Sequence, residues 1–390
     1  MNVILYDSDV RDHLLPFTYT RPVADLRIGI LTLREKWENW LGVTSSTLTQ
    51  EYLSEQWPVE LAEDNLFIDG ALQPDAALVQ ALRELAAGEC LESNGTVLAY
   101  RSSDVAPDPK NTLRLVQYQA EARRIERNWD LFSLNHAAIK ADFELLTAGR
   151  ESQPVPKGVT VIGDGDVFLE EGASVLPGML NTTEGPIYLG RNSQVMEACA
   201  IRGPFALCEG AIVKMGAKIY TGTTIGPYSK VGGEVNNSIL MGYSNKGHDG
   251  FLGNSVLGEW CNLGADTNTS NMKNNYTEIR LWDYADGRFS PTGLQFCGLM
   301  MGDHSKTGIN TMLNTGTVIG VSCNVFGSGY PRNFIPSFSW GSGSGMSVYK
   351  TAKAFETAEA MMKRRGVEFD EADKAILEYV FEASSSLRRY

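Results

Sequence analysis

Residues 189–231, LGRNSQVMEACAIRGPFALCEGAIVKMGAKIYTGTTIGPYSKV, carry an aliphatic side chain at every sixth position: Leu189, Val195, Ile201, Leu207, Val213, Ile219, Ile225 and Val231. A helix repeats every 3.6 residues and a strand every two, so neither makes one position in six special. Six residues with one inward aliphatic and a small neighbour form one flat side of a prism. Three such sides make a coil, and stacked coils bury the aliphatic columns continuously. Glycines beside the aliphatic positions, such as Gly190, Gly226 and Gly232, supply backbone freedom for the corners. The rhythm resumes at Phe251, Leu257 and Leu263, and again at Met301, Thr307, Leu313, Ile319 and Val325. It breaks over 233–250 and over about 270–299, and the second break is long enough for a loop or hairpin leaving the prism. The spacing predicts a parallel β-helix over residues 155–340. A β-sandwich of short strands is the competing arrangement.

The flanks have a different texture. Residues 1–110 alternate strand-like runs (VILY, DNLFIDG) with helix-spaced ones (LTLREKWENWL, DAALVQALRELAAG), which suggests a small α/β domain. Residues 111–154 read as a helical linker. Residues 341–390 read as a helical region that packs on the solenoid end or on a partner, because an open solenoid end exposes strand edges. The expected class is therefore α+β.

Composition narrows the function. The net charge of −13 over 390 residues argues against a nucleic-acid or anionic-membrane surface as the main business. A local cluster of lysine and arginine remains able to hold a phosphorylated small molecule. No run of about 18 apolar residues is present, which removes a membrane-spanning helix. The opening MNVILYDSDVRD carries Asp7 and Asp9 where a secretory signal needs basic residues. The six cysteines form no C-x-x-C pair and read as reduced, packed thiols of a cytoplasmic protein.

Two segments then point to chemistry: GYSNKGHDGFLGNSVLGEWCNLGADTNTSNMK (242–273) and CGLMMGDHSKTGINTMLNTGTVIG (297–320). Their ordered GH-x-x-F-L-G, N-L-G-A-x-T and G-D-x-x-x-x-G-x-x-T motifs resemble the left-handed β-helix domain of sugar-1-phosphate nucleotidyltransferase/acetyltransferases. The members they resemble are the N-acetylglucosamine-1-phosphate uridyltransferase/glucosamine-1-phosphate acetyltransferases and the long archaeal-type sugar-1-phosphate nucleotidyltransferases. The resemblance implies a left-handed coil with hexapeptide repeats, a homotrimer and acetyl-CoA as acyl donor. The implied acceptor is an amino-sugar 1-phosphate in nucleotide-sugar synthesis.

By that resemblance His248 stands at the general base, Asn262 at a substrate-contacting asparagine, and Ala265 at the residue whose N–H meets the thioester oxyanion. Asn271, Lys273 and Phe251 fall on the substrate side. The chemistry requires such a set. An attacking amine must lose a proton, for which imidazole is suited near neutrality. A developing oxyanion needs a fixed N–H, and a sugar phosphate needs cations. Departures are visible too: Phe251 replaces a tyrosine, Leu207 an arginine and Asn236 a lysine. A histidine bonded in a turn is the plainer reading of His248. For His304 and Lys306 the expectation is solvated corners.

LLPFTYTRPVADLRIGILTLRE (14–35) resembles the L-x-P-x-T-x-x-R-P stretch of nucleotidyltransferases. In those proteins a glycine-rich loop precedes the stretch and a lysine follows the proline; here YDSDVRD and Val23 stand instead. The resemblance implies a diverged nucleotidyltransferase taking a nucleoside triphosphate or nucleotide sugar. Arg11, Arg21 and Arg27 are the candidate phosphate contacts, and Asp69 is a candidate ligand for Mg2+. Two rival functions remain at this level: a nucleotidyltransferase with a purely structural β-helix, and a non-catalytic sugar-nucleotide-binding scaffold.

Overall fold

The computed structural model describes residues 2–106 and 108–390, and the chain forms two compact units. The first comprises the chain up to Leu14 together with Thr20–Leu26 and Leu31–Arg127. It is a six-stranded sheet in the order β2-β1-β3-β5-β4-β6, built from β1 (Asn2–Tyr6), β2 (Ser45–Leu48), β3 (Asn65–Asp69), β4 (Glu89–Ser93), β5 (Thr96–Ser102) and β6 (Arg114–Gln117). β1 runs parallel to both β2 and β3, whereas β5 is antiparallel to β3 and β4. α1 (Leu33–Leu41) starts at a capping box in which Thr32 accepts from the Glu35 N–H and Glu35 accepts from the Thr32 N–H. α2 (Ala76–Glu84) starts at an Asp75 cap. Trp37 and Leu78, Val79 and Leu82 of these helices pack with Val3, Leu5, Leu66 and Ile68 of the central strands. The one-turn helix α3 spans Pro109–Thr112.

The second unit, Leu15–Tyr19, Arg27–Ile30 and Asn128–Tyr390, is a three-sided parallel β-solenoid. Its faces are sheets of six, nine and ten strands, parallel throughout except at the final hairpin. The eight aliphatic residues of the six-beat run all lie in one continuous core. Register confirms the stacking: Leu189 pairs with Leu207, Leu207 with Ile225, and Val195 with Val213.

The break at 233–250 is not an excursion. Strands Glu234–Asn236, Ile239–Gly242 and Asn245–Lys246 continue the three faces in a shortened coil. The second-face register steps from Ile225 to Leu240 and from Leu240 to Leu257, instead of the 18-residue step from Leu207 to Ile225. This shortening moves the inward position by one, so Leu252 and not Phe251 is the core residue. The second break does leave the column, as a two-stranded antiparallel hairpin of Arg280–Asp283 and Arg288–Pro291.

One corner of the prism demands left-handed backbone in every coil, and here it is met without glycine at Tyr228 (φ 57°), Tyr243 (53°), Trp260 (59°) and His304 (60°). Each such residue costs roughly 1–2 kcal/mol. The four rings stack coil upon coil at 5.2, 4.2 and 6.3 Å between centroids, which offsets part of that cost. The ladder also explains the C-terminal helices. α4 (Asp130–Thr147) buries Phe132, Ile139 and Phe143, with the Phe143 ring edge-on to Phe168 of the solenoid. α5 (Thr351–Lys363) and α6 (Glu371–Ala383) pack through Ala354, Ala358, Met362, Leu377 and Val380, together with Phe369 between them, against Trp260, Val321 and Phe338 at the corner. They lie along the column's side, where the apolar ladder offers a face, and not on its end. A hairpin of Ser339–Ser342 and Gly345–Val348 closes the last coil instead. All six cysteines are buried and free, and no helix among the described residues is long and apolar enough to cross a membrane.

Candidate functional site

The residue preceding each inward position of the third face points outward, and register stacks these residues into a ladder. Lys230 pairs with Asn245, Asn245 with Asn262, Asn262 with Lys306 and Lys306 with Asn324. The first four line a cavity of about 830 Å3. Corner residues Lys214, Gly247, His248, Gly264, Ala265 and Ile309 extend it along the column. Thr357, Ala360, Met361, Arg364 and Arg365, at the end of α5, make the opposite wall.

The charge on this cavity is one-sided. Lys214, Lys230, Lys306, Arg364 and Arg365 line it, and none of the lining residues carries a carboxylate. Burial and the neighbouring Arg365, Lys214 and Arg364 push the Lys230 ammonium below its ordinary range. Burial and then Arg364 do the same to Arg365, and burial brings Lys306 down to about 8. Like charges held together without a counter-ion destabilise one another, and a bound anion relieves them. Existing bonds leave capacity for one: Arg365 donates to Asn245 Oδ1 at 3.2 Å and Lys306 Nζ to the His304 carbonyl at 2.8 Å.

Three predicted residues, His248, Asn262 and Ala265, share this cavity. His248 is exposed, in the Gly247–Gly250 corner. That corner is tethered from inside, since Lys246 takes the inward place between Val231 and Leu263 and its Nζ donates to the His248 carbonyl. The Ala265 carbonyl accepts from the Asn310 N–H at 2.8 Å, while its own N–H donates to no group among the described residues. Phe251, Asn271 and Lys273 lie elsewhere, around the Gly253–Asn254 edge of the first face. The Phe251 N–H donates to Asn268 Oδ1 at 2.8 Å, Asn271 Nδ2 to Asn254 Oδ1 at 2.9 Å, and Lys273 Nζ to the Glu278 carbonyl at 2.6 Å. Lys306 is a strand residue on the cavity floor, not a solvated corner. His304 is a corner residue, but its ring sits in the aromatic ladder with Trp260 and Phe369.

The four candidates from the N-terminal stretch of the sequence are buried. Arg11 pairs with Asp7 at 3.5 Å and Asp12 at 3.1 Å and donates to Tyr52 Oη. Arg21 is 6% exposed. Arg27, which belongs to the solenoid unit, donates to the Met241 and Ile30 carbonyls. Arg11 and Arg27 are therefore engaged by partners within the chain. Asp69 is completely buried, and its Oδ1 accepts from Ser8 Oγ at 2.8 Å and the Ala71 N–H at 3.0 Å, its Oδ2 from Arg124 Nε at 2.7 Å.

Comparison with known proteins finds similarity over parts of the chain. Residues 3–151 match the family model described as sugar nucleotidyl transferase. The chain is 31% identical over 90 residues to the bifunctional protein GlmU of Methanocaldococcus jannaschii, covering 23% of this chain and 21% of that protein. It is 30% identical over 93 residues to a bifunctional sugar-1-phosphate nucleotidylyltransferase/acetyltransferase of Sulfurisphaera tokodaii, covering 24% and 23%. Over 230 residues it is 25% identical to the GlmU protein of a Nostoc species, covering 52% and 46%. The chain thus spans less than half the length of the curated relatives it matches. Over parts of its length the chain is therefore similar to sugar nucleotidyl transferases and to bifunctional GlmU-type sugar-1-phosphate nucleotidyltransferase/acetyltransferases.

Proposed function

We propose that the third-face cavity is an acyltransferase site that takes acetyl-CoA and acetylates the amine of a glucosamine-1-phosphate-like amino-sugar 1-phosphate. The observation that carries this reading is the meeting of His248, Asn262 and Ala265 with five cationic side chains, free of carboxylates, in one cavity. The donor set suits a phosphorylated carrier: Lys214, Lys230, Lys306, Arg364 and Arg365 offer charge-assisted bonds to phosphate oxygens. Acetyl-CoA supplies an acyl group activated as a thioester. His248 would accept the proton that the attacking amine gives up, and the unpaired Ala265 N–H would meet the negative charge that develops on the acyl oxygen. Asn262, between Asn245 and Lys306 in the ladder, orients the groups held there. Phe251, Asn271 and Lys273 lie on the first face and not in this cavity, so in this reading they would form the acceptor side only against the cavity of a neighbouring copy in the trimer. A homotrimer in the cytoplasm, feeding nucleotide-sugar synthesis, completes it, and sedimentation tests the trimer.

The experiment is turnover of acetyl-CoA with amino-sugar 1-phosphates, wild type against His248→Ala. A loss of about 10²-fold or more supports the base; wild-type turnover in the variant removes it. Absence of acetyl-CoA binding by calorimetry sinks the reading altogether. The match over residues 3–151 favours a second activity, nucleotidyl transfer to a sugar 1-phosphate. Pyrophosphate release from UTP or dTTP in the presence of sugar 1-phosphates tests it.

A further inference from the structure

The resemblance makes Asp69 the candidate ligand for the Mg2+ of a nucleotidyl transfer, and the residues around Asp69 do not fit a divalent cation. Asp69 ends β3 and Asp7 follows β1, two parallel neighbours whose carboxyl ends are where open α/β sheets take their ligands. Three donors already occupy the Asp69 carboxylate, and one is the charged Nε of Arg124 at 2.7 Å. Mg2+ requires oxygen ligands in near-octahedral array at about 2.0–2.1 Å, and this place offers it a guanidinium. Asp7 is similarly engaged. Its Oδ1 accepts from the Val23 N–H at 2.8 Å, and its Oδ2 accepts from Thr49 Oγ1 at 2.5 Å and faces Arg11 Nε at 3.5 Å.

Arg124 is no surface side chain that has swung in. The backbone on both sides of it is fastened beside Asp69: the Ile125 N–H donates to the Ala71 carbonyl at 2.9 Å and the Gln73 N–H to the Arg123 carbonyl at 2.9 Å. Its Nη2 donates to Ser8 Oγ at 2.9 Å and Asp9 Oδ1 at 2.6 Å. Ser8 and Asp9 belong to YDSDVRD, the segment standing where a glycine-rich loop is expected. The lost loop and the inserted arginine are therefore one arrangement.

We infer that Arg124 is a built-in monovalent counter-ion that fills the divalent-metal position at Asp69, so that the N-terminal unit binds no divalent cation there. The test is a titration of the full chain with Mn2+, followed through the electron paramagnetic resonance signal of the free ion, for wild type, Asp69→Asn and Arg124→Ser. The expected result is that wild type and Asp69→Asn leave the same free Mn2+, while Arg124→Ser takes up an equivalent at least tenfold more tightly than wild type. Wild-type uptake of one equivalent that Asp69→Asn loses would overturn the inference. So would an Arg124→Ser chain that gains nothing. If Asp69→Asn fails to fold, the pair of wild type and Arg124→Ser decides by itself.

Discussion

The strand ends of the first unit and the third-face cavity of the solenoid are both rich in arginine or lysine, and they use the charge in opposite ways. In the first unit four arginines each pair with an acid: Arg11 with Asp7, Arg34 with Asp25, Arg101 with Asp64 and Arg124 with Asp69. In the cavity five cations line one space and no carboxylate joins them. Paired buried charges hold a chain in place, and the pairing uses up their capacity for ligands. Unpaired like charges on an open wall raise the energy of the empty fold, and only an anionic ligand recovers it.

Stability measurements test the contrast most severely. Asp69→Ala leaves the Arg124 guanidinium without its buried partner, and breaking a buried pair costs about 3–5 kcal/mol. Arg364→Ala removes one of several repelling cations and should change stability by about 0.5 kcal/mol or less. Denaturant midpoints of the two variants give the comparison directly; equal losses would erase the distinction between the regions.

Next in size is catalysis. His248→Ala should lower acyl transfer by about 10²-fold, whereas Arg11→Ala, in the paired region, should leave the kcat of acyl transfer unchanged. A smaller effect falls on binding. Arg364→Ala and Arg365→Ala should each weaken CoA about tenfold, near 1.4 kcal/mol, because charge-assisted bonds at a partly exposed wall are screened. Calorimetry at low and high salt checks both the size and its decline with ionic strength.

The same contrast explains what could be read from the residues alone. The prism was legible because burial of the aliphatic column imposes a six-residue period directly on the chain, and the GH-x-x-F-L-G and N-L-G-A-x-T motifs sit on the coils that carry His248, Asn262 and Ala265. Lys246 was not legible, since a lysine in an aliphatic column breaks the period that would reveal it. Phe251 was misplaced for the same reason: one residue removed from a coil shifts the inward position to Leu252. The ladder Lys230, Asn245, Asn262, Lys306 had a signal, a polar residue just before each inward position, visible once the coil length is allowed to vary. Arg364 and Arg365 had none, because only tertiary packing of α5 on the aromatic corner brings them to the cavity. In the first unit the pairing of Asp69 with Arg124 joins residues 55 apart in sequence, with no repeat to announce it.

The smallest effect is a pH dependence, and its sign separates ligand binding from folding. Burial lowers Lys306 to about 8 from the ordinary lysine value of 10.5. Below pH 8 its ammonium is charged and attracts an anion; above pH 8 that attraction is lost. CoA affinity should therefore fall a few-fold between pH 7 and 9, and Lys306→Met should flatten the profile. Binding near pH 8 should also take up protons, which calorimetry in buffers of different ionisation enthalpy detects. The fold responds the other way. Between about pH 8 and 10.5 the unfolded chain still holds the proton that the folded lysine has released, so the contribution of Lys306 to stability rises with pH. Lys246, lowered to about 8 by burial against the opposing pull of Asp249 and Asp266, adds to stability with the same sign. It does not line the cavity, so Lys246→Met should leave the CoA profile in place while removing part of the stability profile. If both variants flatten both profiles alike, the cavity's cations are ordinary members of the fold, and the contrast with the first unit fails.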